Sequence, residues 1–160
     1  AGKTFVAESA DAAAIRAACV DAELVLVGNG PDAETICSLA IPGVTVIGPQ
    51  PNIAPYLQAA DLSVLASASE GFSMSVLEAL ACGLPTVATR LGAVPEMMNE
   101  AAGAMVAPDD FDALKSALLT LLARPEDWPA MGAAARAAVV ERYALPIVAQ
   151  QMTALYQSLM

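Results

Sequence analysis

The sequence predicts an α/β fold: a doubly wound, mostly parallel six-stranded sheet with extra carboxyl-terminal helices. Short apolar segments alternate with longer helical ones along the first two thirds of the chain. These segments lack the period-two alternation of a sheet with one solvated face, which indicates strands covered by helices on both faces. The predicted strands are residues 4–7, 22–28, 44–48, 62–66, 85–89 and 103–107.

The last third of the chain is predicted to be helical and to belong to the same domain. Either Asp109 or Asp110 is expected to cap the first of these helices, because a short carboxylate accepts from the free N–H groups of a first turn. No repeat or low-complexity linker divides the sequence, so residues 1–160 are predicted to form a single domain. The predicted helices, punctuated by Pro108, Pro125 and Pro146, are residues 109–123, 125–141 and 146–159.

Composition excludes several classes of function. With 17 acidic and 7 basic residues, the net charge of −10 argues against binding to a nucleic-acid backbone. The chain has no histidine, which rules out Ser-His and Cys-His catalysis and histidine-ligated metals within it, and no metal site is predicted. No apolar stretch approaches the roughly 18 to 20 residues of a membrane span, and the start does not resemble a secretory leader. A soluble protein with a small-molecule partner is expected.

The cysteines indicate a reducing compartment. Cys19, Cys37 and Cys82 are odd in number and have no close pairing, which fits neither a disulfide framework nor a zinc site. The cytoplasm is therefore the expected location.

A candidate phosphate-binding site follows the fourth predicted strand. The segment "SASEGF" places Glu70 and Gly71 in the loop at the carboxyl edge of the sheet, where ligands of such folds bind. A helix is expected to begin near residues 73–75, so its first N–H groups and positive dipole end would face an anion, and the glycine would allow close backbone approach. The N–H groups concerned belong to Phe72, Ser73, Met74, Ser75 and Val76.

Two interpretations of each candidate carboxylate remain open on spacing alone. Glu78 lies about one turn inside the predicted helix, within an apolar run, where a carboxylate is expected to be buried and to need partners for its oxygens. Those oxygens either accept both hydroxyls of a ribose or form a capping box with Ser75. Glu70 either contacts a bound sugar or is a solvated turn residue. The stripe expected to face the core on the same helix consists of Leu77, Leu80, Ala81 and Leu84.

Two further turns lie at the same predicted edge. "GNGP", beginning at Gly28, follows the second strand, and "GPQP", which contains Gly48, Pro49 and Gln50, follows the third. Each turn either lines a nucleotide or closes a loop. The first is not a dinucleotide fingerprint, because the further glycine spacing is missing.

Three stretches together resemble a known family. "SASEGFSMSVLEALACGLPTVATRLGAVPEMM", "GAMVAPDDFDALKSALLTLL" and "MGAAARAAVVERY" are similar to the donor-binding half of the retaining GT-B glycosyltransferases of family four, the glycosyl transferases group one. The family signature of two glutamates separated by seven residues is matched by Glu70 and Glu78. The likeness covers nearly the whole chain from "AELVLVGNGP" onward and implies a Rossmann-like half of a GT-B fold.

The resemblance implies roles for the candidate residues. Glu70 is expected to contact the donor sugar as the catalytic residue and Glu78 the nucleotide ribose, while the amides of residues 71–76 hold the diphosphate. The loop at residues 48–50 is expected to lie against the base. Gly92 and Glu96 in "LGAVPE" resemble a family pattern whose second glycine is Ala93 here, and a structural role at a helix start is favoured for Glu96.

One departure from the family concerns the cations that neutralise the diphosphate. Relatives present an Arg and a Lys after the first strand of this domain, whereas this chain offers only Lys3 and Arg16 there, outside the expected context. Arg90, beside the carboxyl edge, either compensates or is a solvated surface residue. Two phosphate charges in an acidic protein need cations or a dense set of N–H donors. Weak donor affinity is therefore expected, unless the chain begins partway into the domain.

The resemblance implies a nucleotide diphosphate sugar of the UDP or GDP type as donor, no further cofactor, and a partner acceptor-binding domain absent from these residues. The chain alone is expected to transfer little sugar. One alternative is a non-catalytic nucleotide or phosphate-binding module. Another is an interaction domain that uses the apolar stripe of its last helix, "PIVAQQMTALYQSLM".

Overall fold

The computed structural model describes residues 3–7, 22–28 and 33–160, with the side chains from residue 22 onward. Six strands lie within these residues, and each agrees with its predicted range to within one residue at either end. The α/β prediction is therefore confirmed. The strands are β1 (Lys3–Ala7), β2 (Ala22–Val27), β3 (Val44–Ile47), β4 (Leu62–Leu65), β5 (Thr86–Thr89) and β6 (Gly103–Val106).

The strands form one sheet in the order β3-β2-β1-β4-β5-β6. All five strand pairings are parallel, so every strand ends at the same edge of the sheet. The order changes direction between β1 and β4, and in such sheets this reversal opens a crevice beyond the carboxyl ends of the strands. The loop after β4 starts at that crevice.

Helices follow most of the strands. Asp110 is the N-cap of the helix after β6, and its Oδ1 accepts a hydrogen bond from the Ala113 N–H at 2.9 Å, which selects one of the two predicted caps. The predicted helix at residues 125–141 begins instead with a 3-10 turn at Pro125–Asp127. The described α-helices are α1 (Ala33–Ser38), α2 (Ala54–Ala59), α3 (Met74–Ala81), α4 (Val94–Met97), α5 (Phe111–Leu122), α6 (Trp128–Tyr143) and α7 (Leu145–Ser158).

Helices pack on both faces of the sheet, as a doubly wound fold requires. All four residues of β4 and all four of β5 are buried. On one face, Leu62 and Val64 belong to a cluster with Leu118 of α5. On the other face, Leu65 packs in a cluster with Leu80 of α3 and with α6. The two central strands therefore hold the loops that follow them against a core on either side.

The last helix has no buried residue. Met152, Leu155 and Tyr156 are among its exposed apolar side chains, which agrees with the apolar stripe predicted there. Within the described ranges, no helix combines the length and the apolar character needed to cross a bilayer.

Helices α3 and α6 meet through two glycines. A Cβ built on Gly132 of α6 would overlap the carbonyl oxygen of Gly83, which follows α3 with φ of +78°. The guanidinium of Arg136 also donates to the carbonyl oxygen of Ala81, and so satisfies one of the carbonyls left open at the end of α3. The helix that carries Glu78 is thus fixed at its carboxyl end by backbone contact.

Replacing Gly132 by alanine is expected to destabilise the protein. Alanine favours a helix over glycine by up to about 1 kcal/mol. The overlap with a backbone carbonyl cannot be relieved by rotating a side chain, and overpacking of this kind costs about 1 to 3 kcal/mol. We expect a net loss of about 1 to 2 kcal/mol in the free energy of unfolding, measured by urea denaturation.

The matched control is Gly48→Ala, because no atom lies within 4 Å of a Cβ built there. Its stability should stay within about 0.5 kcal/mol of the parent protein. A Gly132→Ala variant as stable as the parent would show that α3 and α6 do not approach as closely as described.

Candidate functional site

The loop after β4 leads into α3 through a serine cap. Ser73 is the N-cap, with φ −81° and ψ 103°, and its Oγ accepts a hydrogen bond from the Val76 N–H at 3.4 Å. The helix start predicted from the sequence is thus confirmed. The proposed capping box is wrong, because Ser75 is already the second residue of the helix and Glu78 the fifth.

The N–H groups at this helix start differ in availability. The predicted set included Val76, but the Ser73 hydroxyl already accepts from its N–H. Within the described part of the chain, no group accepts from the N–H of Phe72, Ser73 or Met74. Gly71 precedes them, and no atom lies within 4 Å of a Cβ built on it. An anion can therefore approach these N–H groups over the glycine.

Glu78 is exposed, which corrects the expectation that it is a buried carboxylate. It borders a recess of about 20 Å³ between α3 and residues of α2 and β4, which has room for about one water molecule. A ribose that reaches Glu78 must therefore bind on its solvent-facing side. Glu78 also acts on its neighbour Cys82: burial raises the pKa of the Cys82 thiol, the charge of Arg136 lowers it, and the charge of Glu78 raises it further.

The buried face of α3 is shifted from the predicted stripe. Leu80 and Leu84 are buried as predicted, but Leu77 and Ala81 are only half-buried. The remaining buried positions of the helix are Val76 and Ala79.

Glu70 is half-buried and held by a side chain three residues earlier. The Ser67 hydroxyl donates to Glu70 Oε1 at 2.8 Å. In turn, the hydroxyl of Thr89 at the end of β5 donates to the Ser67 carbonyl oxygen at 3.0 Å. Glu70 is therefore not a freely solvated turn residue. The sequence did not predict the roles of Ser67 and Thr89, because the hydrogen bond between these two residues spans 22 positions and leaves no local pattern.

The loop after β5 packs directly on the loop that carries Glu70. Gly92 has φ of +49°, and a Cβ on it would overlap the carbonyl oxygens of Glu70 and Gly71. The next residue, Ala93, donates its N–H to the Gly71 carbonyl oxygen at 2.8 Å. Ala93 has φ −85°, so alanine replaces the second glycine of the family pattern without strain. Gly92 is thus required where it stands.

Glu96 lies in the first turn of α4, in agreement with the structural role favoured for it. Its side chain is exposed, and its carbonyl oxygen accepts from the Arg142 guanidinium and from the Tyr143 hydroxyl. The ring of Tyr143 also meets Phe72 edge to face, with centroids 5.8 Å apart. The end of α6 therefore supports the loops after β4 and β5.

Gly28, the residue that follows β2, lies beside the end of β3. The Gly28 N–H donates to the Ile47 carbonyl oxygen at 2.9 Å, and Gly28 has φ of +129°. Beyond β3, Gly48, Pro49 and Gln50 are exposed, and the Gln50 amide donates to the Gly48 carbonyl oxygen at 3.2 Å. Gly28 and the turn at residues 48–50 follow the carboxyl ends of β2 and β3, as predicted, and that turn presents backbone and amide groups to solvent. The rest of "GNGP" lies outside the described residues.

The candidate cations differ in position. Arg90 directly follows β5 and is exposed, and within the described residues its guanidinium takes part in no ion pair. Lys3 begins β1 and therefore lies at the opposite edge of the sheet, about 13 Å from the carboxyl end of that strand at about 3.3 Å per residue. The structure does not bring Lys3 to the site. Arg16 lies outside the described residues.

A second cavity adjoins the same edge. It has a volume of about 340 Å³ and lies between the ends of β4, β5 and β6 and the start of α5, with Ser67, Thr89, Asp109 and Phe111 in its wall. Among the residues that the structure describes, no group of three His, Cys, Asp or Glu side chains is arranged to hold a metal ion.

Curated relatives are glycosyltransferases. The chain is 34% identical over 143 residues to N-acetyl-alpha-D-glucosaminyl L-malate synthase from Bacillus anthracis, covering 86% of this chain and 38% of the relative. It is 34% identical over 154 residues to a GDP-mannose-dependent monoacylated alpha-(1-6)-phosphatidylinositol monomannoside mannosyltransferase from Corynebacterium glutamicum, covering 89% of this chain and 40% of the relative. The chain thus spans well under half the length of these two proteins.

Solved structures share the fold. HepE from Anabaena, in complex with UDP, superposes with a TM-score of 0.85 at 18% identity, over 98% of this chain and 49% of HepE. Sucrose-phosphate synthase from Thermosynechococcus elongatus superposes with a TM-score of 0.84 at 25% identity, over 99% of this chain and 45% of the synthase. The family described as glycosyl transferases group 1 matches residues 3–124. The chain therefore belongs to the glycosyl transferases group 1 family.

Proposed function

We propose that this chain is the donor-binding domain of a retaining, metal-independent glycosyltransferase that takes a sugar from a nucleoside diphosphate. One observation carries the proposal: Glu70 and Glu78 lie on either side of the α3 N-terminus, at the carboxyl edge where the strand order reverses. Such a helix start binds phosphate, and carboxylates on either side of it are acceptors for the hydroxyls of a sugar and a ribose.

The diphosphate is proposed to sit over Gly71, against the N–H groups of residues 72–74. These groups have no described acceptor, and they coincide with the positive end of the α3 dipole. Arg90 supplies a guanidinium at the same edge, with no competing ion pair among the described residues. Because the whole chain carries a net charge of −10, these local donors work against an unfavourable field, and donor affinity is expected to be weak.

The nucleoside is proposed to extend from the α3 N-terminus toward β3. The exposed Glu78 accepts the ribose hydroxyls on its solvent side, and the exposed turn at residues 48–50 lies against the base. Backbone groups dominate that turn, so its side chains distinguish poorly between bases. One similar structure contains UDP and one relative depends on GDP-mannose, so UDP and GDP sugars are the donors proposed.

Catalysis is proposed to rest on positioning and on stabilisation of the leaving group. As the departing diphosphate gains negative charge, the N–H groups of the α3 start and Arg90 stabilise that charge, while Glu70 orients the sugar. In a retaining, front-face transfer the leaving phosphate itself accepts the proton of the acceptor hydroxyl. The chain spans about half of the structures it resembles. We propose that the acceptor binds in a second domain and that these 160 residues alone transfer little sugar.

Nucleotide binding with a defined dependence on Glu78 tests this function. Isothermal titration of the 160-residue chain with UDP and GDP should show binding of at least one of them, and the corresponding monophosphate should bind more weakly. Glu78→Ala should weaken the binding by about 1 to 3 kcal/mol, the cost of hydrogen bonds lost between a carboxylate and ribose hydroxyls.

The matched control is Glu141→Ala, which removes an exposed glutamate from α6 and should leave the affinity unchanged. Equal losses of nucleotide affinity in Glu78→Ala and Glu141→Ala would show that only the net charge of the chain matters. That result would contradict a contact between Glu78 and the ribose. Binding of inorganic pyrophosphate as tightly as of either nucleotide would favour a non-catalytic phosphate-binding module. Rapid sugar transfer by the chain alone would contradict the need for a second domain.

A further inference from the structure

We propose that Ser67 and Thr89 are positioning residues for Glu70, and that they act specifically on recognition of the donor sugar. The inference rests on the proposed function and deepens it, because it assigns the sugar end of the site to a series of hydrogen bonds that joins β5 to the loop after β4. Its basis is the pair of contacts from Thr89 to Ser67 and from Ser67 to Glu70.

The first contact fixes one oxygen of the carboxylate. The Ser67 hydroxyl donates to Glu70 Oε1 at 2.8 Å, and Glu70 is half-buried. Within the described residues, no other side chain donates to this carboxylate. One oxygen is therefore anchored to the protein, while the second is left for a hydroxyl of a ligand. A free glutamate loses substantial rotamer entropy when it binds, and a glutamate held in advance loses less of it at that step.

The second contact fixes the serine. Thr89 is 5% exposed, and its hydroxyl donates to the Ser67 carbonyl oxygen at 3.0 Å. Since Thr89 ends the fully buried strand β5, it ties the loop after β4 to the neighbouring strand. A β-branched threonine is stiff about its first side-chain torsion, so its hydroxyl is a well-defined donor.

The backbone beneath Glu70 is held separately. Gly92 packs against the carbonyl oxygens of Glu70 and Gly71, and the Ala93 N–H donates to the second of these. With the peptide constrained in this way, the orientation of the Glu70 side chain is the main remaining freedom. The Ser67 hydroxyl constrains that freedom. Its loss should change the direction of the carboxylate and leave the path of the loop intact.

A purely structural role for Ser67 makes a different prediction. If the hydroxyl only fastened the loop, its removal would disturb the start of α3 as well, and affinity for nucleotide and for nucleotide sugar would fall together. If it positions Glu70, the diphosphate site at the N–H groups of residues 72–74 should be unaffected. The informative quantity is therefore the ratio of the dissociation constants for a nucleoside diphosphate and its sugar conjugate, which isolates the contribution of the sugar.

The experiment compares this ratio by calorimetry for the 160-residue chain and its variants, with UDP against UDP-glucose and GDP against GDP-mannose. Ser67→Ala should leave the dissociation constant of the diphosphate within about twofold and reduce the sugar contribution about five- to twentyfold, because a Glu70 that is no longer oriented loses part of its charge-assisted hydrogen bond to the sugar. Ser67→Thr, which keeps a hydroxyl, should retain most of that contribution. Thr89→Val, which keeps the size of the side chain, should reduce it in the same direction.

Coupling to Glu70 provides the decisive control. On a Glu70→Ala background, Ser67→Ala should have no further effect on the ratio, because the group it positions is gone. Additive effects of the two substitutions, or equal losses for diphosphate and sugar conjugate in Ser67→Ala, would overturn the inference. A parent chain that binds the diphosphate but gains nothing from the sugar would also overturn it and leave nucleotide binding intact. A chain that binds neither ligand would refute the proposed function itself.

Discussion

The candidate site depends on a close backbone contact between the loops that follow β4 and β5. Gly92 approaches the carbonyl oxygens of Glu70 and Gly71 so closely that no side chain fits between them, and the Ala93 N–H completes the contact with a hydrogen bond. Both loops leave strands whose residues are all buried, so they start from fixed points. The loop with Glu70 and the helix with Glu78 therefore have a defined relative position before any ligand binds, which limits the entropy lost on binding.

The electrostatics of the site are local. An acidic chain is a poor general binder of phosphate, and the family's usual cations have no counterpart among the described residues at this edge apart from Arg90. Besides Arg90, the described groups that favour an anion at this edge are the oriented N–H groups at the start of α3 and the dipole of that helix, which act over short distances. Such a site would distinguish its ligand by geometry more than by net charge, which is consistent with the role proposed for Glu70 and Glu78 as hydroxyl acceptors at its two ends.

Much of the fold is predictable from the sequence, because buried parallel strands appear as continuous short apolar runs and prolines mark the later helices. The exposure of Glu78 is not predictable in this way, because its apolar neighbours in the sequence point to other sides of the helix. Ala79 faces the core, whereas Glu78, about 100° away around the helix axis, faces solvent. The spacing of Ser75 and Glu78 suggested Ser75 as the cap, and only the backbone conformation identifies Ser73. The hydrogen bond from Thr89 to Ser67 joins β5 to the loop after β4 and has no periodic signal in the sequence.

The central claim is that the start of α3, with Glu70 and Glu78 on either side, is where a nucleoside diphosphate binds. The most direct measurement is a titration of the ¹⁵N-labelled chain with UDP and GDP, followed through the backbone amide resonances. If the nucleotide binds at the start of α3, the largest shifts occur at residues 71–74 and in the turn at residues 48–50, and they saturate together. Saturating shifts confined to the 340 Å³ cavity at the start of α5, or to the exposed face of α7, would contradict it.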